Sequence, residues 1–113
     1  MKKSLIAIAL AAAAAGLPLL AGAQQFAKVE DAIKYRQSAL FMMSQHTGLI
    51  GAMVNDKIPF DAAQAKASAE IIQVIGTLPW RGFMPGSDKG ATKARPEVWT
   101  DPGKFDAAKE RLL

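Results

Sequence analysis

The chain has 113 residues, with 14 Lys plus Arg against 10 Asp plus Glu, one His and no Cys. The missing thiols exclude a disulfide-stapled scaffold. Basic residues are dispersed rather than gathered into a run, which excludes a nucleic-acid face, and the length allows one small domain whose stability must come from packing.

Lys2 and Lys3, the apolar run from Leu5 to Leu20 and the small residues Ala21-Gly22-Ala23 form a bacterial-type export signal over residues 1–23, cut after Ala23. A membrane anchor is the competing reading. It is disfavoured because the run is short and alanine-rich, holds Gly16 and Pro18, and leads into amphipathic sequence. Cleavage leaves a domain over residues 24–113. Removing Lys2 and Lys3 from the 14 basic residues leaves 12 against 10 acidic ones, a net charge of +2. Such a protein is expected in the periplasm, with no membrane contact once the signal is gone.

From Phe26 the pattern predicts a long first helix, with Glu30 and Asp31 in a first turn where negative charge suits the helix dipole. At 100° per residue, Ile33, Arg36, Leu40, Met43, Thr47, Ile50 and Val54 fall in one stripe about 100° wide, as a core-facing helix requires. Tyr35, Ala39, Met42, His46, Leu49 and Met53 form a second stripe on nearly the opposite side, which suggests burial against another subunit. The helix should stop near Asn55-Asp56-Lys57, ahead of Pro59.

Asp61 is a candidate N-cap for a second helix running to about Leu78, with Ala65, Ile71, Ile72, Val74, Ile75 and Leu78 on its inner face. Lys66 and Glu70 stand at a helical pair spacing on the wet side. A short connection between two long helices predicts an antiparallel hairpin. From Trp80 to about Thr100 glycines and prolines break the pattern. Trp80, Phe83, Val98 and Trp99 argue that this long loop is ordered, since disordered segments rarely carry so many large apolar side chains. Asp101-Pro102 opens a third helix, the aspartate as cap and the proline at its first position. Phe105, Ala108, Leu112 and Leu113 begin its apolar face. The fold class is therefore all-α.

Several of these residues carry a pattern. The stretch from Phe26 to Leu40, with Arg36-Gln37 beside its apolar side, resembles the first helix of cytochrome c prime, the four-helix-bundle c-type cytochromes of bacterial periplasms. Leu78-Pro79-Trp80, Phe83-Met84-Pro85-Gly86 and Arg95-Pro96-Glu97-Val98-Trp99 resemble that family's loop after the second helix. The resemblance spans residues 24–113. It implies a haem protein for electron transfer or diatomic gas binding, not an enzyme, with redox partner proteins and a homodimer packed through the first two helices.

By that resemblance, Arg36 pairs with a haem propionate, Gln37 donates a hydrogen bond nearby, and Leu40 covers the distal face of the iron. Trp80, Phe83 and Lys93 flank the haem edge. Met43, one turn beyond Leu40, is the remaining candidate. The bland alternatives are a snorkelling surface arginine, core packing for Leu40, and filler for Met43. His46, the sole histidine, lies on the second stripe away from Arg36 and Leu40, as an interface or surface residue rather than a ligand. No second His or Cys accompanies it, so no metal site is expected. Nothing resembles a hydrolytic triad.

The family attaches haem c through Cys-x-x-Cys-His in its last helix, and these residues contain no cysteine. Covalent attachment by this chain is not possible, and the resemblance implies a chain truncated or incompletely read before that helix. Two other readings stay open: a non-haem helical interaction module or inactive fragment, and a non-covalent haem binder using Met43 or His46.

Overall fold

The computed structural model describes residues 26–113; the expected leader lies outside them. Helix α1 spans Val29–Val54, with Glu30 and Asp31 in its first turn. Lys28 at the N-cap supplies no side-chain bond, so the two acids are what complement the dipole there. At the other end the Asn55 side chain donates to the Gly51 carbonyl at 2.7 Å, and Asp56 turns the chain at φ 55°. Asn and Asp are the non-glycine residues that tolerate these positions best.

Helix α2 spans Ala62–Ile75, and the Asp61 carboxylate accepts from the Gln64 N–H at 3.0 Å, the expected cap. The helix stops at Ile75 rather than Leu78. Its last turn tightens through bonds from the Thr77 N–H to the Val74 carbonyl and from the Leu78 N–H to the Ile75 carbonyl. Pro79 has no N–H to continue the ladder. A 3₁₀ turn follows at Pro79–Gly82, then the loop, a single helical turn at Glu97–Thr100, and α3 at Pro102–Leu112. Asp101 caps α3 through the Lys104 N–H at 3.4 Å. Among the described residues there is no strand, and no helix is long and apolar enough to cross a membrane.

The α1–α2 hairpin is antiparallel, because His46 meets Ser68 while Ala39 and Met43 meet Ile75. Among the buried or half-buried positions of α1, Ala32, Arg36, Ala39, Met43, His46, Ile50 and Met53 are spaced alternately by four and three, with Val29, Ile33, Tyr35, Leu49, Gly51 and Ala52 covered beside them. That is a heptad seam, which takes members from both stripes expected of α1. Leu40, Thr47 and Val54 drop out as exposed. At 100° per residue these seven positions share one stripe about 100° wide that lies between the two expected stripes. His46 correspondingly faces α2, where its Nδ1 lies 3.2 Å from Ser68 Oγ.

The inner face of α2 is narrower than expected. Ala65, Ser68, Ile72 and Ile75 lie toward α1, whereas Ile71, Val74 and Leu78 are exposed. Small side chains at Ala39 and Ser68 leave room for the two helices to approach. Replacing Ile75 by alanine should therefore destabilise the fold by about 2–4 kcal/mol. Val74→Ala, at a side chain 66% exposed, should change stability by less than about 0.5 kcal/mol. Urea denaturation of the two variants checks the assignment; equal losses would contradict it.

Candidate functional site

Arg36 organises the region after the hairpin. It is 2% exposed, and its two terminal nitrogens donate four hydrogen bonds. Nη1 reaches the Gly82 carbonyl at 2.9 Å and Ser87 Oγ at 2.7 Å; Nη2 reaches the Ser87 carbonyl and Thr92 Oγ1, both at 2.8 Å. The guanidinium carbon also stands 4.6 Å from the Phe83 ring centre and 5.4 Å from that of Trp99, within reach for cation–π attraction. Burial lowers the Arg36 pKa from its ordinary value, yet a guanidinium stays charged in proteins. A buried cation is thus held by neutral acceptors and two ring faces.

The loop is built to reach it. Gly82 has no Cβ because one would lie 2.7 Å from both the Ala32 carbonyl oxygen and Arg36 Cβ. Gly90 takes φ 109° where the chain folds back. Ser87, fully buried, also donates to the Met84 carbonyl at 2.6 Å. Beside Arg36, Gln37 Nε2 donates to the Ala91 carbonyl at 3.0 Å. Arg36 thus spans the loop from Gly82 to Thr92, and Gln37 reinforces its far end at Ala91.

Around Phe83 lies an aromatic layer. Ring centres are 6.2 Å apart for Trp80–Phe83, 5.0 Å for Phe83–Phe105, 6.0 Å for Trp80–Phe105 and 6.2 Å for Phe83–Trp99. These rings, with Val98 and Lys109, line a cavity of about 270 Å³. Both indole N–H groups point to backbone: Trp80 donates to the Gly76 carbonyl at 2.6 Å and Trp99 to the Met84 carbonyl at 3.2 Å. The one charged pair on the lining is Lys109 with Asp106 at 3.5 Å. Such a wall repels water and favours flat apolar groups.

The structure unites some of the expected site residues and disperses others. Arg36, Phe83 and Trp80 form one layered unit, with Gln37 at its edge. Arg36 directs all four Nη protons at the loop. Leu40, one turn on, is 38% exposed on the rim of the hairpin rather than in its seam. Met43 packs with Ala39 and Ile75 as core. Lys93 is exposed and makes no side-chain bond among the described residues. His46 Nδ1 lies 3.2 Å from Ser68 Oγ, about 15 Å along α1 from Arg36. Among the described residues no three His, Cys, Asp or Glu side chains cluster as a metal site. Ser87 and Thr92 were not expected, because a lone hydroxyl in a polar loop carries no signal of a partner more than fifty positions away.

The chain is similar to known proteins along most of its length. A family model described as Cytochrome C′ matches residues 31–113. The cytochrome c′ of Alcaligenes xylosoxydans xylosoxydans is 49% identical over 81 residues, 72% of this chain and 62% of that protein. That of Rubrivivax gelatinosus is 43% identical over 89 residues, covering 78% and 69%. The chain thus spans less than two thirds of the Alcaligenes relative's length. Among solved structures, a cytochrome c prime from Shewanella frigidimarina superposes with a TM-score of 0.74 at 38% identity, over 76% of this chain and 67% of that one. A nitric oxide complex of an Alcaligenes xylosoxidans cytochrome c prime variant gives 0.68 at 43% identity, over 76% and 66%.

Arg36→Lys should destabilise the fold by about 2–4 kcal/mol, because an ammonium cannot satisfy four acceptors in two directions. Amide hydrogen exchange should quicken across residues 82–92 while α2 keeps its protection. Uniform loosening of the whole chain would contradict a local anchoring role.

Proposed function

The chain belongs to the cytochrome c′ family, and on that premise we propose that it forms the apolar wall of a haem pocket in a periplasmic protein that transfers electrons or binds diatomic gases without catalysing a reaction. The observation that carries this reading is the aromatic cavity of Trp80, Phe83, Trp99 and Phe105, whose two indole N–H groups are both turned to backbone. Its occurrence in a family whose members include a nitric oxide complex supports the gas-binding half of the reading.

The residues present fit a porphyrin ring but not its attachment. Flat aromatic faces suit the macrocycle. The 113 residues contain no thiol for thioether bonds, and their single imidazole is committed to Ser68 within the helix seam. No axial or covalent donor for haem c comes from these residues. When bound, the haem iron supplies the redox and gas-binding chemistry. The polypeptide described here excludes water with its aromatic layer and fixes the loop with Arg36 and Gln37, while Leu40, exposed on the hairpin rim, adds apolar cover.

Titrating haem into the chain should quench the fluorescence of Trp80 and Trp99 and give a Soret band that acid–acetone removes. Leu40→Arg, at an exposed position that folding does not need, should weaken haem binding at least about tenfold by placing a charge against the apolar ring. Unchanged binding in that variant would overturn the pocket assignment. A band lost in His46→Ala but kept in Leu40→Arg would favour the non-covalent site instead.

Association into a homodimer through the outer faces of α1 and α2 belongs to the same reading. Phe41 and Met42 on α1, and Val74 on α2, are large apolar side chains left in water by the hairpin. Phe41→Lys should shift sedimentation toward monomer. A wild-type chain that sediments as monomer at about 100 μM, near −5.5 kcal/mol of association, would contradict the pairing.

A further inference from the structure

The loop that Arg36 anchors from beneath carries cations on its outside. Lys89, Lys93 and Arg95 are all exposed, with Asp88 the one acid from residue 88 to 95. None of the three enters an ion pair; among the described residues those pairs are Lys66–Glu70 and Lys109–Asp106. Ser87 and Thr92 point inward to the Arg36 guanidinium, Gln37 holds the Ala91 carbonyl, and a Cβ on Gly90 would lie 3.5 Å from Ile33 Cδ1. The backbone between the three cations is therefore tied to α1 at several points, and the charges stand on an ordered platform.

We propose that the segment Asp88–Arg95 is a docking surface for the acidic face of a partner protein that exchanges electrons with this molecule. The inference takes from the proposed function only that such a partner exists. Unpaired exposed cations raise the local potential and steer an oppositely charged surface, with most of the effect on association rate and orientation. A loop already ordered by Arg36 loses little entropy when a partner docks on it. The loop's anchor, Arg36, meets the Phe83 ring, which also lines the aromatic cavity. Docking there brings a partner to the edge of that aromatic layer. Lys57 and Lys66, toward the opposite end of the hairpin, offer a charge-matched control.

The test uses a fluorescein-labelled octaglutamate peptide and the full chain without haem, so it is independent of whether the pocket reading holds. Addition of the peptide should shift the amide resonances of residues 88–95. Anisotropy should report binding that weakens about tenfold in the double variant Lys89→Glu, Arg95→Glu, and as steeply between about 20 mM and about 200 mM salt. The control pair Lys57→Glu, Lys66→Glu should stay within about twofold of wild type. Equal losses in the two double variants, shifts centred elsewhere, or no binding at low salt would overturn the proposal. So would phosphatidylglycerol vesicles that shift the loop amides where the peptide does not.

Discussion

Everything after the helical hairpin depends on a cation that has been taken out of water without a carboxylate to meet it. Transfer of a lone charge into a protein interior is opposed by several kcal/mol even after relaxation. Arg36 escapes that penalty only because the Gly82–Thr92 segment brings four oxygens and Phe83 brings a ring face to it. The dependence runs both ways. Without the loop the guanidinium is unpaired, and without the guanidinium the carbonyls of Gly82 and Ser87 lose their donors. A loop with little regular structure thereby becomes as determinate as a helix. Gly82 belongs to the same constraint, since any side chain there would meet α1 before the bonds could close.

Phe83 links this anchor to the candidate site. Its ring receives Arg36 and also lines the cavity beside Trp80 and Phe105. The anchor therefore positions an apolar wall without being part of it. Trp80 and Trp99 follow the same logic, since each indole N–H is tied to a backbone carbonyl and the ring faces are left clean. A wall of this kind supplies shape and dryness but no ligand atom. That matches a chain whose family membership implies haem while its own residues offer no attachment chemistry.

Much of this was legible in the amino-acid order. The stop at Asn55, the cap at Asp61, the break at Pro79 and the start at Asp101-Pro102 follow from local chemistry that acts over three or four residues. Arg36 and Gln37 stood out as polar residues beside an apolar stripe. Their partners did not, because Ser87, Ala91 and Thr92 are ordinary loop residues until the chain folds back onto α1. The seam of α1 was misplaced for a different reason. Ala32 is small and falls in neither stripe, while Ala39, His46 and Met53 fall in the second stripe, read as facing another subunit, and lie in the seam. Leu40 and Val54 were drawn in for their size and lie outside the contact. His46 illustrates the same limit: its neighbour Ser68 is small and polar, and only the helix register brings the two together.

Arg36 is immobilised by the loop, and the order of everything after the hairpin rests on that. Side-chain NMR of a ¹⁵N-arginine-labelled chain, recorded without haem, tests it most directly. A guanidinium fixed by four bonds should show separate, slowly exchanging Nη proton resonances, with nuclear Overhauser contacts to Ser87 and Phe83. A single averaged Nη signal in rapid exchange with water, like that of an exposed arginine, would contradict the account.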